Sequence, residues 1–214
     1  MCRRRCVVRV EVWSDVVCPW CYVGKRRFER ALTTWRAEGG ADVEIVWRPF
    51  QLDPNTPNDG APMPDALAAK FGGMRAAEQA MTQVSGVAAG EGLEYRLADA
   101  VQANTFDAHR VIARAYEQGG AELQGAVQER LFRAHFCEAE HIGDPEVLAR
   151  LAGEAGMDDV ASALTDEVLA ERVRAELAEG LAIGVRSVPT FVVGRKGVSG
   201  AQEPDVLLEL LRAG

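Results

Sequence analysis

The chain has 214 residues, 48% hydrophobic and 26% charged, with 24 basic against 32 acidic side chains and a net charge of −8. This is the composition of a soluble globular protein, long enough for one large domain or a domain carrying an insertion. The acidic balance argues against nucleic acid or an anionic membrane as partner, and no apolar run approaches the ~20 residues of a membrane span.

The start, Met1-Cys2-Arg3-Arg4-Arg5-Cys6, is basic like the head of a secretory leader. Arg9 and Glu11 then break the apolar stretch that such a leader needs, so a cytoplasmic location is expected. Residues 7–13 read as a first strand, and a helical pattern runs from Pro19 to about Glu38, where Gly39-Gly40 stops it. Residues 43–47 read as a second strand, followed by an irregular, proline-rich connection to Pro64. From there to about Gly184 the chain has helical spacing and no convincing strand. Ala108, Val111, Ile112, Ala115 and Tyr116 fit one helix, and Leu123, Val127, Leu131 and Ala134 another. Leu169, Val173, Leu177 and Leu181 fall at four-residue intervals on a third, and Asp144-Pro145 marks a further helix start. Strands return at residues 190–193 and 198–200 around a turn at 194–197, and a last helix runs from about Glu203 to Leu211.

Strand–helix–strand, a helical block, then hairpin–helix describes an α/β domain split by a large all-helical insertion. The expected division is 7–62 with 184–214 for the α/β domain, 63–183 for the insertion and 1–6 for an N-terminal extension. Neither sheet fragment makes a convincing core alone, so the two halves must meet, which brings Pro189 and Cys18 into one domain.

Cys18-Pro19-Trp20-Cys21 lies where the first strand runs into the first helix. Thiol–disulfide exchange needs one reactive thiolate and a second sulfur within bridging distance, which residues i and i+3 of a helical turn supply. Proline suits the first helical position, where its missing N–H would be unpaired anyway. Cys18 is then the N-cap, where backbone donors and the positive dipole end favour an anionic sulfur, and it is expected to be the exposed nucleophile. Cys21 shares a helical face with Phe28, Leu32 and Trp35, which must pack on the sheet, so it is the sheltered, resolving sulfur. Lys25, Arg26, Arg27 and Arg30 either add positive potential to the site or form an ordinary solvated face. Two other readings of the motif remain: structural cysteines, or half a zinc site, with Cys2 and Cys6 completing a four-cysteine set. Five cysteines in a chain of this length are too few and too odd for a secreted disulfide scaffold, and Cys137 reads as a small buried hydrophobe.

Cys18-Pro19-Trp20-Cys21 after a strand, with Ser187-Val188-Pro189-Thr190 entering a late strand, resembles the thioredoxin superfamily. With the helical insertion the chain is similar to the DsbA family, and more narrowly to its FrnE-like branch of cytoplasmic disulfide oxidoreductases. The branch-level likeness rests on the stretch from Trp13 to Lys25, on Asn104-Thr105 with Ala108-His109-Arg110, on the run from Leu131 to Phe136, and on Ser199-Gly200-Ala201-Gln202. The resemblance implies a thioredoxin-like fold and a thiol–disulfide oxidoreductase with Cys18 and Cys21 catalytic. It also implies a cis Val188-Pro189 bond beside the site, and Trp20, Val188 and Pro189 in contact with substrate. Val188 would pair through its backbone with an extended substrate segment. His109 would either tune the thiols or act as a structural hydrogen-bonder, with Asn104, His135 and His141 as weaker candidates. The stretch 199–202 would border the substrate groove. Expected partners are protein or peptide thiols and disulfides, and glutathione; no cofactor and no metal is called for.

Two alternatives keep the sequence pattern and change the chemistry. Related proteins with the same insertion, 2-hydroxychromene-2-carboxylate isomerases and kappa-class glutathione transferases, bind glutathione and carry serine where this chain has Cys18. A non-enzymatic thiol protein that binds metal or clamps a client is the other.

Overall fold

The computed structural model describes residues 7–214; Cys2 and Cys6, and with them the four-cysteine zinc reading, lie outside the described residues. In chain order the elements are β1 (Val7–Ser14), α1 (Pro19–Ala37), β2 (Asp42–Pro49), α2 (Met63–Phe71), α3 (Met74–Gly90), α4 (Phe106–Cys137), α5 (Pro145–Glu154), α6 (Val160–Thr165), α7 (Glu167–Ala182), β3 (Thr190–Val193), β4 (Lys196–Ser199) and α8 (Pro204–Arg212).

The four strands form one sheet in the order β2-β1-β3-β4. β1 and β2 pair in parallel from Val7↔Asp42 to Ser14↔Pro49, across the α1 crossover. β3 pairs antiparallel with β1, Phe191 opposite Val12, and β4 closes a hairpin on β3. This is the split α/β domain with a helical insertion that the sequence describes: β3, from the far end of the chain, sits directly beside β1.

Burial alternates along the first part of β1 and becomes continuous from Val12 to Ser14, beside the motif. Val12 and Phe191 lie opposite one another, and Phe28 of α1 packs on Phe191 with ring centroids 5.2 Å apart. α8 packs beside α1, with Leu207, Leu208, Leu210 and Leu211 buried. Each such side chain contributes roughly 1.5–3 kcal/mol when fully taken from water. Trp13 points to the other face and lies flat against Gly180 of α7, where an added Cβ would stand 2.5 Å from the indole. The helical block is joined to α1 by stacked rings, Tyr22 on Phe132 at 5.0 Å and on Tyr95 at 6.3 Å.

Several expected boundaries shift. The two helices read around residues 108–134 are present as the two halves of α4, broken at Gly119 and Gly120, where Gly120 takes φ 64°. Asp144 caps α5, accepting from the Glu146 and Val147 N–H groups at 2.8 and 3.4 Å. The α7 stripe drifts off the core: Leu169 and Val173 are buried, but Leu181 is 50% exposed. Four-residue steps advance about 40° beyond a full turn each, so the last leucine points away from the first. The hairpin turn is tighter than expected, because β4 already begins at Lys196 and only Gly194 and Arg195 lie between the strands.

Candidate active site

α1 begins as its sequence dictates, with Cys18 as N-cap in an extended conformation and Pro19 at the first helical position. The Cys18 N–H donates to the Asp15 carbonyl at 3.0 Å, and the Cys21 N–H donates to the Cys18 carbonyl at 2.9 Å. Both thiols are free. The Cys18 thiol donates to the Val188 carbonyl at 3.6 Å, so a residue 170 positions away meets the motif directly. The Val188-Pro189 bond is cis.

Pro189 is seated against Gly24 of α1, where an added Cβ would lie 2.7 Å from the proline Cγ. Around it, the Pro189 carbonyl accepts from the Gly200 N–H at 2.7 Å, and Arg27 donates to the Ala201 carbonyl at 2.7 Å. The 199–202 stretch therefore braces the proline loop. Tyr95, which sequence reasoning passed over, donates its hydroxyl to the Pro19 carbonyl at 2.8 Å and ties the first turn of α1 to the helical block.

Cys18 departs from expectation: it is only 4% exposed, against 1% for Cys21. Its sulfur lies beneath the Val188 carbonyl and is not presented on an open helix tip. Access is through a cavity of about 820 Å³ whose wall includes Cys18, Pro19, Trp20 and Val188. Trp20, between the sulfurs, is 37% exposed at that cavity. Burial, and then the neighbouring Cys18, push the Cys21 thiol well above the usual thiol range.

Lys25, Arg26, Arg27 and Arg30 of α1 are neutralised by carboxylates of the helical block. Lys25 and Arg26 both pair with Glu129 of α4, and Arg27 and Arg30 both pair with Glu91, at 2.8 and 3.1 Å. Arg30 is solvated, while the part-buried Lys25, Arg26 and Arg27 join α1 to its neighbours.

His109 stands apart from the cavity that Cys18 lines. It is 3% exposed, with Nε2 2.9 Å from the Phe50 carbonyl oxygen and 3.5 Å from Asp15 Oδ1. Of its two readings, the hydrogen-bonded structural one fits this place. Asn104 holds the connection after β2, donating to the Pro54 and Thr56 carbonyls, and His141 meets Asn58 at 3.2 Å. His135 is wholly buried, neither ring nitrogen has a partner, and burial lowers its pKa to about 4. Cys137 is half-buried on the last turn of α4.

Asp15 is the other group the sequence reading overlooked. It is 1% exposed, Oδ2 accepts from the Leu52 N–H at 2.7 Å, and Oδ1 has no hydrogen-bond partner. It also lines the cavity beside Cys18. An acid three residues before the first cysteine, in the short link between β1 and α1, was the available signal.

Among the described residues, no cluster of three or more His, Cys, Asp or Glu side chains is arranged to hold a metal ion, and no helix is long and apolar enough to cross a membrane. A free dithiol at the start of a helix, facing a cis-proline loop on a βαβ–ββα sheet, is the frame of the thioredoxin-type thiol oxidoreductases. Residues 9–212 match the model of the DsbA-like thioredoxin domain, and the chain belongs to that family of thiol oxidoreductases. It is 30% identical over 208 residues to the uncharacterized protein YwbO of Bacillus subtilis, covering 93% of each chain. The crystal structure of a probable DsbA oxidoreductase from Streptomyces coelicolor superposes with a TM-score of 0.87 at 39% identity, covering 96% of this chain and 89% of that one. The cytosolic disulfide reductase DsbM of Pseudomonas aeruginosa shares the fold, with a TM-score of 0.64 at 19% identity over 96% of this chain and 97% of that one.

Proposed function

We propose that the protein exchanges disulfides through Cys18 as nucleophile and Cys21 as resolving thiol. The observation that carries this reading is the position of the Cys18 sulfur: at the N-cap of α1, against the Val188 carbonyl, and in the wall of an open cavity. The Cys18 thiolate attacks one sulfur of a substrate disulfide, the substrate S–S bond breaks, and one substrate thiolate leaves. Cys21 then gives up its proton and attacks Cys18, forming the Cys18–Cys21 disulfide and releasing the second substrate thiol. Run backwards, the same steps oxidise a dithiol.

The second step is demanding here, because burial holds the Cys21 proton tightly. Asp15, whose Oδ1 accepts no hydrogen bond and has only His109 Nε2 nearby at 3.5 Å, lies beside the motif and is the base we assign to that proton. Trp20, Val188 and Pro189 are assigned substrate contact, Val188 through its backbone. Substrates are protein, peptide or small-molecule thiols and disulfides, with glutathione among the thiols to be tried. We assign the protein to the FrnE-like branch, on the motif from Trp13 to Lys25, and to the cytoplasm, as for the cytosolic disulfide reductase that shares its fold. We also divide it into an α/β domain of 7–62 with 184–214 and an insertion of 63–183, since all four strands come from outside the insertion.

The test is reduction of a disulfide substrate by the wild type, Cys18→Ser and Cys21→Ser. Cys18→Ser should lose exchange altogether, and Cys21→Ser should accumulate a mixed disulfide on Cys18, visible as added mass. Undiminished turnover by Cys18→Ser would refute the assignment.

A further inference from the structure

The cavity beside Cys18 has more to it than the exchange reaction requires. At about 820 Å³ it lies in the range of sites that enclose small organic ligands, about 300–1,000 Å³. Beyond the motif its wall comes largely from the helical block and is apolar: Met63 and Leu67 of α2, Met81 and Val84 of α3, and Phe136 of α4. Leu52 and Phe71, also in that wall, are 43% and 46% exposed, so large apolar surface faces solvent around the entrance.

The charges in the wall are unequal in state. Lys70 and Arg186 have no carboxylate partner among the described residues, and the Arg186 guanidinium contacts only the Leu181 and Val185 carbonyls. The two acids are engaged through their oxygens, Asp15 with the Leu52 N–H and Asp53 with the Asn55 N–H. The remaining polar side chains are few, Thr56, Gln102, Thr105 and Ser187. A glutathione molecule, with an ammonium, two carboxylates and two amides, would leave most of these groups facing methionine, leucine and phenylalanine. Cys18 as a residue is only 4% exposed, so a disulfide has to enter this cavity to reach its sulfur.

We propose that the preferred substrate is a low-molecular-weight disulfide, or the matching thiol, with a bulky apolar body and an anionic end. The apolar body would lie between α2 and α3 and the anionic end would meet Lys70 or Arg186. This rests on the exchange reading above and names the substrate class for the same dithiol. Oxidation of the protein balances: two cysteine thiols become one disulfide, and one organic disulfide becomes two thiols.

The test uses the full chain, reduced beforehand, and second-order rate constants for forming the Cys18–Cys21 disulfide, read by alkylation and mass. The probes are bis(2-phenylethyl) disulfide bearing para-carboxylates, the same skeleton bearing para-trimethylammonium groups, 2-hydroxyethyl disulfide, oxidised glutathione and insulin. All three synthetic probes release alkyl thiols, so differences in leaving ability are small. The carboxylated aryl probe should react about 10-fold or more faster than 2-hydroxyethyl disulfide and glutathione, on the scale of a few buried methylenes, and faster than its cationic analogue. Leu67→Gln and Met81→Gln, both at half-buried positions, should each shrink the aryl-to-hydroxyethyl ratio several-fold. The double variant Lys70→Gln, Arg186→Gln should abolish the preference for carboxylate over trimethylammonium. Equal rates for aryl and hydroxyethyl probes, or faster reaction with glutathione or insulin, would overturn the proposal and leave the exchange reading standing. Failure of every probe to oxidise the dithiol would overturn both.

Discussion

His135 makes a quantitative prediction, because its surroundings leave its proton nowhere favourable to sit. The ring is wholly buried, edge-on to Phe136 at 4.7 Å, and neither nitrogen has a hydrogen-bond partner. Burial lowers its pKa to about 4; the charge of Asp15 and a weak backbone contact with Glu140, too poor in geometry to count as a hydrogen bond, oppose this, and the nearby His141 adds to it. In the unfolded chain the same group titrates near 6.5. The folded state therefore holds the neutral ring while the unfolded state takes up a proton below about pH 6.5. Stability from this source is complete above that pH, falls as the pH drops towards about 4, and changes no further below it. The difference corresponds to about 3 kcal/mol, at a slope approaching about 1.4 kcal/mol per pH unit in the middle of the window. Urea unfolding followed by circular dichroism from pH 7.5 to 4 should show this loss in the wild type. His135→Leu, apolar and similar in volume, should flatten the curve by about that amount and be the more stable protein at pH 4.5. Parallel curves for the two proteins, or an imidazole signal from folded His135 titrating near 6.5, would refute the reasoning.

Two other substitutions probe the site from its flanks. Gly24→Ala places a methyl 2.7 Å from the Pro189 ring; the crowding costs about 1–3 kcal/mol, only partly offset by about 1 kcal/mol of helix propensity. A lower melting temperature and slower exchange together are expected, and no change in either would show that the proline loop moves freely. Asp15→Asn keeps an oxygen for the Leu52 N–H but removes the base. Single-turnover release of substrate from the mixed disulfide should slow about 10²-fold at neutral pH and recover as the pH rises towards the elevated Cys21 range. An unchanged pH profile would remove Asp15 from the mechanism.

The sheet was legible in the sequence because its strands carry their own signals. Residues 7–13 and 43–47 alternate or run apolar between breakers, and Pro19 and Pro204 sit at the first turns of α1 and α8. The pairing of the two chain ends was legible too, since β1–β2 and β3–β4 could not each form a core. What the sequence could not convey was set by contacts distant in the chain. Cys18 reads as exposed from its place at a helix tip, but the Val188 carbonyl, 170 residues on, covers its sulfur. The α1 cations read as a possible field at the site, but Glu91 and Glu129, from the helical block, neutralise them. Leu181 fits a stripe by spacing alone, and only the accumulated turn of α7 carries it into solvent. The cavity has no sequence signature at all, because α2 and α3, which build much of its wall, were legible only as generic helical segments.

A redox titration of the purified full chain, with mass-spectrometric mapping of which cysteines pair, tests the central claim most directly. The account predicts a two-electron couple in which Cys18 and Cys21 join reversibly while Cys137 stays reduced. A titration in which Cys18 remains a free thiol under oxidising buffer, or pairs with a cysteine other than Cys21, would contradict it.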